Sequence, residues 1–214
     1  VSSYLSLENL LDGLRLVVGE LFGLRLDVRR GSTEEGAWHP DVLCLHMAEG
    51  AAATDSDAVV YLDLFRRPGK AEQCATYGLR FARVRDDGTT QPARLAVVCC
   101  FSRGGGADVL TCQLPHAEAE TLFHEMGHAL HIILSRTRYQ HTAGTRCALD
   151  FAETPSQLLE HYVWDPRVLP RFARHATSGQ PLPLPLLERA RAAQARFSAI
   201  DLCHQIHLCQ LDLA

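Results

Sequence analysis

Long hydrophobic runs are missing from the sequence. The longest, such as residues 95–101, fall far short of the roughly 20 residues a membrane-spanning helix needs, so the expectation is a soluble chain without membrane insertion. A basic excess is missing too: 21 Lys and Arg stand against 25 Asp and Glu, for a formal net charge of −4. Without a basic stripe to track phosphates, nucleic acid is excluded as the expected partner. There is no internal repeat and no low-complexity tract beyond the proline run 181–185. With 47% hydrophobic and 21% charged residues, this excludes a coiled coil, a collagen-like repeat and a disordered acidic tail. The opening VSSYLSLENLLDGL has neither a basic segment leading into an apolar one nor an Arg-rich, acid-poor transit sequence. The expectation is that the chain works where it is made or that a leader has been removed. The eight cysteines include the adjacent Cys99 and Cys100 inside an apolar run, which predicts buried thiols in a reducing compartment rather than a disulfide ladder.

What is present is enough for a proper core, since 214 residues can bury one without staples. Apolar residues at three- and four-residue steps over 5–22 predict a helix with one face on that core, ended by Gly23. Short β-branched and apolar segments follow at 24–28, 42–47, 58–65, 77–84 and 94–101, separated by turn residues at 30–32, 54–57, 68–69 and 86–88. They predict an antiparallel or mixed sheet of about four or five strands. After a glycine-rich loop at 102–107, helices are predicted at 116–135, 152–163, 166–176 and 184–213. The expected fold class is α+β, one unit over 1–214, with helix plus sheet in 1–107 and helices in 108–214.

Chemistry concentrates at His124-Glu125-Met126-Gly127-His128. Residues four apart lie one above the other on a helix, so both imidazoles can reach one metal ion while Glu125 faces the open coordination position, the arrangement of a zinc hydrolase. Such a site needs a third protein ligand, and Glu153, 29 residues after His124, is the candidate. Pro155 suits a first helical turn, so Glu153 would project from the start of a second helix beside the first. Asp150 and Gln157 are candidates to orient the ligands by hydrogen bonds; a helix cap and a solvated polar residue are the alternatives.

The runs FHEMGHALH, SRTRYQHTAGTRC and DFAETPSQLLEHYVW resemble the thimet oligopeptidase family of zinc metallopeptidases. The likeness extends more weakly through YLDLFRRPGKAEQCATYGLR and YLSLENLLDGL, and so covers nearly the whole chain. It implies a zincin-like fold of the gluzincin type, one Zn2+ per chain held by His124, His128 and Glu153, and Glu125 as the catalytic residue. It also implies an edge strand offered to a peptide substrate; the segment 94–101 is the expected one, with Val97 and Cys99 as candidate contacts. Tyr139, His141, Gly144 and Thr145, in the loop between the ligand helices, would border the cleft. Family members are much longer, and a later helical portion with oxyanion-stabilising His and Tyr residues is not matched here. The chain therefore reads as a catalytic core.

Several polar residues fall outside this constellation. His131 shares the face of His124 and is either part of the active-site wall or a packed histidine. Cys203, His204, His207 and Cys209 raise the possibility of a second metal site, although their faces on a helix coincide poorly. Arg136, Arg138, Arg167, Arg171 and Arg174 are expected on solvated faces. The function expected from these observations is zinc metalloendopeptidase activity on peptides or precursor proteins, by resemblance removal of N-terminal octapeptides from precursors imported into the mitochondrial matrix. The alternatives are a general oligopeptidase of cytosol or plastid and a non-catalytic zinc- and peptide-binding module.

Overall fold

The computed structural model describes residues 1–33, 36–50, 57–106, 108–135, 137–196 and 198–213. Residues 54–56 of the turn expected at 54–57, the end of the 102–107 loop and Arg136 lie outside the described residues. Helix α1, Leu7–Phe22, starts two residues later than its periodicity suggests, because Ser6 Oγ accepts the Asn9 N–H (3.2 Å) and caps it. It ends at Gly23, whose φ of 65° is the left-handed conformation that glycine adopts without penalty. Its stripe Leu7, Leu10, Leu11, Leu14, Val17 and Val18 is buried.

The strands are β1 (Leu24–Arg30), β2 (Leu43–Glu49), β3 (Ala58–Phe65), β4 (Ala75–Arg80), β5 (Arg83–Val84), β6 (Thr90–Gln91) and β7 (Arg94–Phe101). Five form one mixed sheet in the order β1-β2-β3-β7-β4, antiparallel except for the parallel pair β3–β7. The segment expected at 77–84 is thus two strands, β4 and then β5, which turns back onto β6. Alternation along the strands sorts the residues. Leu43, Leu45, Met47, Val60, Leu62, Leu95, Val97, Cys99 and Phe101 join α1 and the later helices in the main core. Cys44, Val59, Tyr61 and Ala96 pack on the other face with Ala37 and Val42.

This order corrects one expectation. The segment 94–101 is not an edge strand: β7 lies between β3 and β4, and Leu95, Ala96, Val97, Cys99 and Phe101 are all buried. An apolar run of this kind belongs in a sheet interior, where both neighbours satisfy its backbone. The edges are β1 and β4; β4, whose residues are half-buried or exposed, is the edge beside the motif helix.

Helix α2 spans His116–Leu134, α3 Thr154–Glu160, α4 Leu169–Phe172, α5 Leu184–Ala195 and α6 Ser198–Asp212. The helix expected at 166–176 shrinks to four residues. Asp165 Oδ1 takes the Arg167 N–H (2.7 Å) in a turn, and Pro170 sits in the first helical turn. The helix expected at 184–213 is two, of which α5 buries Leu187 alone among its described residues and α6 buries none. No helix among the described residues is long and apolar enough to cross a membrane.

Candidate metal centre

Helix α2 packs against β4 and β7 on one side and against α3 on the other. His124 and His128, one turn apart, look toward the start of α3, where Glu153 holds the cap position and Pro155 the first turn. Gly127 allows this approach: a Cβ there would lie 2.5 Å from Ser156 Cα and 2.6 Å from the Pro155 carbonyl oxygen. The glycine inside the motif is therefore a packing requirement of the second helix.

The three donor atoms form a nearly equilateral triangle. His124 Nε2 lies 3.2 Å from His128 Nε2 and 3.4 Å from Glu153 Oε2, and His128 Nε2 lies 3.2 Å from Glu153 Oε2. Ligand atoms about 2.0–2.1 Å from a tetrahedral zinc ion stand about 3.3 Å from one another, so the observed set fits such an ion without rearrangement. Two nitrogens and one carboxylate oxygen are also a donor set that zinc favours. Among the described residues, His124, His128 and Glu153 are the one group of three or more potential ligands brought together in this way. Cys203, His204, His207 and Cys209 stay on the exposed helix α6 and form no such group.

Around this triangle sit residues that spacing alone does not single out. Glu160 Oε1 lies 2.5 Å from His124 Nδ1. Ser156 Oγ lies 2.8 Å from Glu153 Oε2 and 2.9 Å from the Glu153 carbonyl oxygen. Glu153, Ser156 and Glu160 fall at i, i+3 and i+7, one face of α3, and that periodicity is the signal that could have revealed them. Asp150 and Gln157, the orienting candidates, are exposed, and among the described residues neither hydrogen-bonds a ligand through its side chain.

Glu125 is 5% exposed and faces the sheet. The Thr76 hydroxyl of β4 lies 2.7 Å from its Oε2 and 3.0 Å from its carbonyl oxygen. Motif helix and edge strand are thus joined at the carboxylate between the two histidines. No local pattern marks Thr76, which is 49 residues away in the chain. His131 packs edge-on to Phe151 at 5.8 Å, and burial first, then His128, lowers its basicity. One turn before His124, burial pushes the Glu120 carboxyl up, and Glu160 adds to the rise while Trp164 opposes it. In the connecting loop, Tyr139 is exposed, His141 Nδ1 lies 3.0 Å from Arg146 Nη1, and Gly144 has a φ of 72° where a Cβ would lie 2.8 Å from the Phe81 ring and 3.0 Å from Ile132. Burial also pushes the Cys99 thiol far up, leaving it inert as a nucleophile.

The sequence model described as peptidase family M3 matches residues 1–214. The mitochondrial intermediate peptidase of Arabidopsis thaliana is 40% identical over 99% of this chain and 29% of its own length. That of Botryotinia fuckeliana is 37% identical over 100% of this chain and 31% of its own. The human one is 35% identical over 98% and 29%. The chain thus spans about three-tenths of the length of the curated relatives it matches. Since the match runs through every residue from the first helix to the last, the chain belongs to peptidase family M3.

Proposed function

We propose that this chain is the zinc-binding part of a metalloendopeptidase, with His124, His128 and Glu153 holding one Zn2+ and Glu125 moving the proton. The observation that carries the reading is the donor triangle, with sides of 3.2, 3.2 and 3.4 Å, on a helix whose intervening glutamate is held by the edge strand. Zinc bound there would polarise the scissile carbonyl and acidify an attacking water. Glu125 accepts that water's proton and delivers it to the leaving amine. Thr76 holds Oε2 of the carboxylate by its hydroxyl, so Glu125 works from a fixed position. The open edge of β4 offers main-chain groups to an extended peptide, in the role first expected of 94–101. The fold would then be zincin-like, of the gluzincin type.

The relatives' name, mitochondrial intermediate peptidase, supports peptide-bond hydrolysis in the mitochondrion; the family resemblance of the motif runs adds a precursor protein as substrate and removal of its N-terminal octapeptide as the specific reaction. The test is cleavage of a quenched precursor-like peptide by the zinc-loaded chain, with a chelator control. Glu125→Gln should keep one zinc per chain and lose on the order of a hundredfold or more in rate, and His128→Ala should lose both metal and cleavage. Undiminished hydrolysis by pure Glu125→Gln protein would overturn the mechanism. One zinc per chain without turnover in the unmodified chain would make it a zinc-dependent peptide binder.

A further inference from the structure

Histidine presents a lone pair on one ring nitrogen only when the proton sits on the other, and an unconstrained imidazole favours the proton on Nε2. At His124 the nitrogen in the donor triangle is Nε2, so the favoured proton position is the wrong one for a ligand. Glu160 Oε1 stands 2.5 Å from the opposite nitrogen, Nδ1, where a carboxylate can accept a proton but never donate one while ionised. His128 has no counterpart: its Nδ1 is buried and without a hydrogen-bond partner among the described residues. The two histidines of the motif are therefore held by different means, one by a charged acceptor and the other by packing.

We infer that Glu160 is a positioning residue, which locks His124 with its proton on Nδ1 and its Nε2 lone pair directed at the point shared with His128 and Glu153. The inference rests on the zinc reading of the site for its purpose, but not for its geometry. Two turns of α3 separate Glu153 from Glu160, so a single short helix delivers both the third ligand and the support for the first. Their placement depends on the close approach at Gly127, which couples the lock to the packing of α2 on α3.

The test reads tautomer and metal affinity rather than turnover. Ring 15N shifts of the metal-free chain at about pH 8, above the ordinary histidine range, should show His124 protonated at Nδ1. Glu160→Ala should move that proton to Nε2 and weaken Zn2+ binding by about 10- to 100-fold in competition with a chelator. Glu160→Gln retains an acceptor of the same length, and should keep the Nδ1 proton and recover part of the affinity. Unchanged tautomer and affinity in Glu160→Ala, with the unmodified chain binding one zinc, would overturn the lock and leave the zinc reading intact. A chain that binds no zinc but shows the Glu160-dependent tautomer would overturn the zinc reading and sustain the lock.

Discussion

Gly127 carries more of the site than its missing side chain suggests. A methyl group there meets the α3 backbone at 2.5 Å, and backbone cannot rotate away as a side chain can. Gly127→Ala should push α3 off α2, destabilise the fold by about 1–3 kcal/mol and weaken zinc binding even though every ligand is retained. Calorimetric zinc titration of the folded variant checks this; wild-type affinity would show that Glu153 does not depend on the contact. A second residue, Asp63, is buried on the opposite face of the sheet. Burial pushes its carboxyl up, but Arg67, Lys70 and Trp38 outweigh that and hold it down at about 2. The lowered value means stabilisation that is complete above the unfolded carboxylate range near pH 3.9 and lost as pH falls through about 2. The unfolding free energy, read by denaturant titration, should fall by about 2 kcal/mol between pH 5 and 2 on this account, and Asp63→Asn should abolish that slope.

Elements differ in how far they could be read from the chain. Helix α1 and the motif helix α2 follow from local periodicity, because a helix satisfies its backbone internally and needs only one apolar face. His124, Glu125 and His128 are legible for the same reason, and Glu153 from its spacing and Pro155. Strand order is a different matter, since each strand is completed by partners distant in sequence. The apolar run at β7 marks burial without saying what flanks it, and the edge role falls to β4, whose sequence has no distinctive pattern. Thr76 is hidden for the same reason, whereas Glu160 lies within the reach of a helical period. At the other end of the chain, α6 buries none of its described residues and touches mainly α5. Deleting 198–214 should therefore change unfolding stability by less than about 1 kcal/mol, as read by urea denaturation, and leave zinc affinity unchanged. A larger loss would show that α6 packs on the core in solution.

At the scale of the whole molecule, metal and fold should be one equilibrium. Two of the three proposed ligands lie on α2 and one at the start of α3, so an ion bound to all three would require both helices in place. Free zinc at 100 times its dissociation constant should stabilise the chain by about 2.7 kcal/mol. Adding a chelator should lower the thermal midpoint accordingly, and a midpoint indifferent to chelator would separate the site from the fold.

The parallel pair β3–β7 has a consequence for how the molecule comes together. β4 precedes β7 in the chain, yet among the described residues β7 is the one strand it pairs with in the sheet. On a growing chain, β4 has no ladder to join until residues 94–101 have emerged and slotted in between β3 and β4. The central insertion is a long-range event of the slow kind. By this order the edge of the sheet beside the motif helix should be completed late, after β7 has paired with β3.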